Sequence, residues 1–182
     1  MTIVSNEFFV GVDPSLSATG IVVIDSEGKL VTSRQLKNKL SGVKRLVYIR
    51  NEIYRLLTHY TSDSKVIRNI GIEGYSRASL NRREEAGELG GVLRVLFYEL
   101  AIPYIEVAPT QLKKYALGRG DGMKEHILLA TYKKWGIEFK NDDEADAFVI
   151  AQIARAVHLW RIGEPLNMRK YELEVVKKLS GY

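Results

Sequence analysis

Four of the 22 acidic side chains stand out for their surroundings. Asp13 follows the apolar run Phe8-Phe9-Val10-Gly11-Val12 and precedes Pro14. Glu73 closes a second apolar run that carries Ile67, Ile70 and Ile72, and precedes Gly74. Asp143 and Asp146 are spaced i, i+3 at the start of an apolar helical segment, so they share one helix face. Taken singly, each acid reads equally as a helix cap or a solvated charge. Asp143 is a candidate N-cap, and acids in a first turn suit the helix dipole. Gathered in one cleft, the four would raise one another's pKa and require cations to neutralise them. Hard divalent ions with oxygen ligands, Mg²⁺ or Mn²⁺, match that donor set. Two such ions clamp the attacking water and the leaving oxygen of a phosphodiester.

The elements that must position these acids follow from periodicity. Phe8–Val12, Gly20–Ile24 and Lys29–Ser33 are β-branched or apolar runs, the last two joined by the turn Asp25-Ser26-Glu27-Gly28. They predict an antiparallel meander with Asp13 at the C-terminal end of its first strand. Val43, Leu46, Val47, Arg50, Ile53, Leu56 and Leu57 then recur at helical spacing. Val66–Glu73 predicts a strand ending on the second acid, Glu84–Leu100 a helix, and Pro103–Val107 a strand. The glycine-rich loop Gly118-Arg119-Gly120-Asp121-Gly122 leads into a helix over Met123–Trp135, and Asp143–Trp160 forms the last core helix. The order β-β-β-α-β-α-β-α-α predicts an α/β protein, its mixed five-stranded sheet carrying helices on both faces. In an open sheet, ligands bind at strand ends, where Asp13 and Glu73 are expected. Residues 1–162 are read as one domain, and 163–182 as a C-terminal tail with a short surface helix, Arg169–Leu179.

These residues resemble a known family. Phe9-Val10-Gly11-Val12-Asp13-Pro14-Ser15 with Thr19-Gly20 resembles the opening strand and turn of RuvC-type Holliday junction resolvases, which have the RNase H-like fold. Ile70-Gly71-Ile72-Glu73 resembles that family's second acidic strand, and Asp143-Glu144-Ala145-Asp146-Ala147-Phe148-Val149-Ile150-Ala151 its final acidic helix. The three motifs occur in the family's order across residues 9 to 151. The resemblance implies a homodimer that binds four-way junctions, or other branched DNA such as flaps and forks. It implies symmetric nicking of two strands by Mg²⁺-dependent hydrolysis, leaving 5′-phosphate and 3′-hydroxyl ends. Asp13, Glu73, Asp143 and Asp146 match the family's metal-binding acids; two ions per site are expected, with Mn²⁺ able to substitute.

By the same resemblance, Lys124 matches a lysine near the scissile phosphate, and Tyr75 lies near an aromatic that stacks on DNA bases. Stacking of that kind is worth ~1–3 kcal/mol per base; a half-buried core tyrosine is the competing reading. Arg77, Arg82 and Arg83 fit a DNA-facing loop after Glu73, among them Ser76, Ser79 and Asn81. Lys113, Lys114, Arg119 and Lys124 flank the glycine-rich loop, whose backbone amides and guanidinium suit phosphate. Each of these also reads as an ordinary solvated charge. Glu84, Glu85 and Glu88 run against the pattern, since DNA repels them unless they face away or make dimer contacts. The tail likewise extends beyond the resemblance, as in phage-encoded relatives, for which the host cytoplasm is the expected location.

Composition narrows the alternatives. Lys plus Arg number 27 against 22 Asp plus Glu, a formal net charge of +5 that suits nucleic acid. The absence of cysteine excludes disulfides, thiolate ligands and cysteine nucleophiles. His59, His126 and His158 show no metal-ligand spacing. The start Met1–Glu7 lacks the pattern of a signal peptide, and no apolar run reaches the ~20 residues a membrane span needs. A cytoplasmic protein without a membrane partner is expected. The competing functions are an RNase H-like nuclease acting on RNA–DNA hybrids or structured RNA, a sugar-kinase-like ATPase using Asp13-Pro14-Ser15 and Thr19-Gly20 as a phosphate loop, and a catalytically silent DNA-binding module. An ATPase of that kind needs a second, similar half for which 182 residues leave no room.

Overall fold

Side chains alternate across a strand, and along β1 (Glu7–Asp13) this alternation divides the apolar side chains between two cores. Phe9 packs on one side of the sheet, Val10 and Val12 on the other. β2 (Ala18–Asp25) divides in the same way, Val22 and Ile24 against Ile21 and Val23. β3 (Leu30–Lys37), β4 (Val66–Glu73) and β5 (Tyr104–Val107) complete a five-stranded sheet of order β3-β2-β1-β4-β5. β1, β2 and β3 form the expected antiparallel meander, and β4 and β5 continue it in parallel pairing. The structure, a computed structural model, describes residues 6–62, 64–74, 83–121 and 124–181.

Helices cover both faces, as the element order predicts. α1 (Gly42–His59) and α2 (Arg83–Glu99) lie on the side of Val10 and Val12. Their apolar stripes, Ile49, Ile53, Leu56 and Leu57 from α1 and Leu89, Leu93, Leu96 and Phe97 from α2, are buried against the sheet. The other face carries α3 (Pro109–Leu117), α4 (Lys124–Trp135), α5 (Asp142–Arg161) and α6 (Lys170–Ser180). Sequence periodicity does not reveal α3, because Ala108-Pro109 reads as a stop. Proline at the first helical position begins a helix instead, its missing N–H costing nothing there. Leu112, Tyr115 and Ala116 form the buried side of this nine-residue helix.

α5 is the central helix of its layer, buried from Ala145 to Val157 except where Asp146 and Arg155 reach the surface. It lies unusually close to the sheet because the strands beneath it carry glycine. A β-carbon on Gly11 would stand 1.9 Å from the Ala147 carbonyl oxygen, and one on Gly20 would stand 2.0 Å from that of Asp143. Gly71, the register partner of Gly11, is crowded by Ile150 in the same way. Polar contacts fix the register of helix on sheet. Asn69 donates to the Ala154 carbonyl at 2.9 Å, while Gln152 and Arg155 donate to the carbonyls of Gly28 and Ser26 in the β2–β3 turn at 2.6 and 2.7 Å. α6 joins the same core through Val175 and Val176.

Candidate metal-binding active site

The strand pairing brings the first two acids together. Gln35 of β3 pairs with Gly20 of β2, and Gly20 with Asp13 of β1. Asp13 and Glu73 each stand one residue beyond the Val12–Ile72 pair, and Glu73 is matched to Val107 of β5. One row of residues thus crosses all five strands at the end of the sheet where β1, β4 and β5 terminate. Alternation places both acids on the α5 side: Asp13 follows Phe9 and Gly11, and Glu73 follows Asn69 and Gly71. Asp13 is buried, and Glu73 is half-buried.

The other two acids arrive on the first turns of α5, which starts at the same end. The contact of the Asp143 carbonyl with Gly20 seats this turn beside the strand position paired with Asp13. Asn141, rather than Asp143, is the N-cap: its side-chain oxygen accepts from the Glu144 N–H at 3.0 Å, and its amide donates to the Glu144 carboxylate. That cap frees the Asp143 carboxylate for another contact, and Gln35 Nε2 donates to its Oδ2 at 2.5 Å. Asp146 follows one turn later on the same face, half-buried, with one carboxylate oxygen enclosed. Asp142, Asp143 and Glu144 all benefit from the dipole of a 20-residue helix.

The turn after Asp13 is closed by a residue whose position had suggested phosphate binding. Thr19 is fully buried; its hydroxyl donates to the Ser15 carbonyl at 2.6 Å and accepts from the Ser15 N–H at 3.3 Å. The hydroxyl is thereby committed to its own loop.

The four acids supply only oxygen, the donor set of Mg²⁺ and Mn²⁺. All four stand on one face at one end of the sheet. Among the described residues, no three His, Asp or Glu side chains are gathered as a formed metal site. Sequence reasoning misses Gln35 and Asn141. Asn141 has a usable signal, an Asn three residues before Glu144, whereas nothing local marks Gln35.

The expected DNA contacts are spread more widely. Tyr75, Arg77 and Arg82 lie outside the described residues, as do the side chains of Arg83 and Lys124, whose backbones open α2 and α4. Lys113 is half-buried on α3. Lys114 pairs with Glu174 of α6 at 2.7 Å. Arg119 is exposed on the glycine-rich loop, 3.8 Å from Asp121.

The sheet order, meander and flanking helices define an RNase H-like fold. The solved structure of Thermus thermophilus RuvC superposes with a TM-score of 0.69 at 22% identity, covering 87% of this chain and 99% of that one. The structure of T. thermophilus RuvC in complex with Holliday junction substrate gives 0.68 at 18% identity, covering 88% and 99%. The family model for crossover junction endodeoxyribonuclease RuvC matches residues 9–178, and the chain belongs to that family. Its relatives include crossover junction endodeoxyribonuclease RuvC of Rhizobium johnstonii, 26% identical over 148 residues, or 78% of this chain and 85% of the relative. That of Bartonella tribocorum is 25% identical over 166 residues, or 88% and 94%. No helix among the described residues is long and apolar enough to cross a membrane.

Proposed function

We propose that the chain is a structure-selective DNA endonuclease that resolves Holliday junctions or other branched DNA by metal-dependent phosphodiester hydrolysis. Family membership supports the reaction and substrate class. The observation that carries the site is the arrangement of Asp13 and Glu73 at matched ends of neighbouring parallel strands, with the first turns of α5 seated beside them.

In this reading Asp13, Glu73, Asp143 and Asp146 hold two Mg²⁺ ions, for which Mn²⁺ substitutes. Such ions supply Lewis acidity to the water nucleophile and to the oxygen that leaves. The chain's own contribution is to orient the carboxylates: Gln35 aims Asp143, and the Gly20 contact fixes the start of α5. Lys124 is assigned to the scissile phosphate. Tyr75, Arg77, Arg82, Arg83, Lys113 and Arg119 are assigned to DNA, with Lys114 divided between DNA and Glu174. Residues 1–162 are assigned to the nuclease domain, and of the tail 163–182 the helix α6 packs into the same core and falls within the family match; the enzyme is assigned to the cytoplasm.

A homodimer fits symmetric nicking. The α2 stripe of Leu89, Leu93, Leu96 and Phe97 covers the sheet, so it is not the interface. Val43, Val47 and Val95 are exposed instead, along a groove between α1 and α2. That groove is assigned to the second copy. The overall reading is tested by offering four-way junctions, flaps, forks, linear duplex and RNA–DNA hybrid to the protein with Mg²⁺. Preferential nicking of the branched DNA supports it, and preference for the hybrid overturns the substrate assignment.

A further inference from the structure

A cleft of about 630 Å³ lies between α3, α4 and α6, and among the described residues no acidic side chain lines it. Arg119, His126, Lys133, Lys134 and Arg169 border it, with Leu129 and Tyr171 among the remaining walls. Lys134 belongs to the scaffold. Its ammonium is paired with the buried Glu172, donates to the Tyr115 carbonyl at 3.2 Å, and lies against the Tyr115 and Trp135 rings at 4.5 and 4.2 Å. This contact ties α4 to α6.

The remaining cations are differently disposed. Lys133 and Arg169 are exposed, and neither forms an ion pair among the described residues. Arg169 Nη1 donates to the Tyr171 hydroxyl at 3.1 Å, which holds the guanidinium at the rim. Arg119 has only the loose, solvent-exposed contact with Asp121. With Lys134 paired to Glu172, the positive charge that faces the cleft rests mainly on Lys133 and Arg169 and favours an anion there.

The cleft is also connected by chain geometry to the acids. A β-carbon on Gly120 would stand 3.4 Å from the Thr110 carbonyl, so the loop carrying Arg119 folds onto the first turn of α3. α3 begins two residues after Val107, the register partner of Glu73. Arg119 therefore lines the cleft from a loop that touches the first turn of α3, the helix that follows the strand paired with Glu73. A single phosphate ion would leave most of this volume empty, whereas a polyanion passing along the cleft meets Arg119 of the glycine-rich loop, Lys133 of α4 and Arg169 at the N-cap of α6.

We propose that the α3–α4–α6 cleft is a second binding site, taking the phosphodiester backbone of a DNA arm away from the cleavage point, with Lys133 and Arg169 as its principal contacts. This rests on the nuclease reading, which supplies the DNA, but it assigns the tail helix α6 a role in holding substrate. Both side chains are exposed, so the double variant Lys133→Gln/Arg169→Gln keeps the fold.

The test measures affinity for a four-way junction against salt concentration, for wild type, this double variant and a control pair, Lys39→Gln/Lys44→Gln, exposed elsewhere. Removing one cation that neutralises a phosphate lowers the slope of log affinity on log salt by about 1. The cleft pair is expected to lower the slope by about 2 and to bind roughly 60-fold more weakly at 0.1 M salt. Its rate of nicking at saturating junction and Mg²⁺ stays that of wild type, and the control pair keeps its slope. A cleft pair that binds like wild type, or a control pair that falls as far, overturns the cleft alone. A wild type that binds no junction overturns the nuclease reading with it.

Discussion

The carbonyl oxygen of Asp143 lies 2.0 Å from the position a β-carbon on Gly20 would occupy, so the first turn of α5 rests directly on backbone. Gly20→Ala must therefore push that turn away from the strand position beside Asp13. Overpacking of this kind costs about 1–3 kcal/mol, or roughly 2–12 °C in Tm for a chain of this length. Nicking activity should fall even at temperatures where the variant is fully folded, because the displaced turn carries Asp143 and leads into the turn that carries Asp146. Thermal unfolding with parallel nicking assays checks this; unchanged Tm and activity would show that the contact is not needed.

Gln35 is joined to Asp143 across 108 residues of sequence by a hydrogen bond from Nε2. Groups that orient metal-ligating carboxylates typically change metal affinity or activity by roughly 10–100-fold. Gln35→Leu should raise the Mg²⁺ concentration needed for half-maximal nicking by about that factor, with little change in far-UV circular dichroism. A Mg²⁺ titration identical to wild type would remove Gln35 from the site.

These two residues mark where the sequence is legible and where it is not. Asp13 and Glu73 are readable because each ends an apolar strand, and alternation then decides which face they take. Asp143 and Asp146 are readable because i, i+3 spacing holds in any helix. The expectation that Asp143 caps the helix is wrong, since Asn141 lies one position before the helix and takes the Glu144 N–H. Gln35, Gly11 and Gly20 are invisible for a different reason. Their partners are Asp143 and Ala147, over a hundred residues away, and such contacts leave no local periodicity. α3 is hidden by Pro109, which ends one kind of element and begins another.

Exposed Val47 and Val95 line the groove between α1 and α2, Val95 at 56% of its full accessibility. If a second copy covers this groove, Val47→Glu/Val95→Glu places charge in an apolar interface. Light scattering in dilute solution should give twice the chain mass for wild type and the single-chain mass for the variant. Dimers in both, or monomers in both, would remove this groove as the interface.

Burial holds the His158 imidazole below its usual 6.5, with Arg68 and Arg161 adding to the effect and Glu7 opposing it. The ring packs on Phe9 at 5.5 Å between centroids. Unfolded chain takes up this proton near pH 6.5, and folded chain only at lower pH. In that window the unfolded state binds more protons, so stability is retained above about pH 6.5 and declines as the pH falls below it. His158→Gln removes the titration, and its Tm should fall less than that of wild type between about pH 7 and about pH 5.5. Equal falls would mean that other groups set the acid response.

The most direct measurement of the central claim is nicking of a synthetic four-way junction with Mg²⁺ by wild type and by Asp13→Asn. The substitution keeps the size of the side chain and removes one carboxylate charge from the matched pair with Glu73. Loss of that charge should lower the nicking rate by roughly a hundredfold or more, since charge stabilisation by the metals is worth several kcal/mol. Junction binding without metal should persist. Equal nicking by the two proteins would contradict the account, because the four acids could then not be the catalytic site.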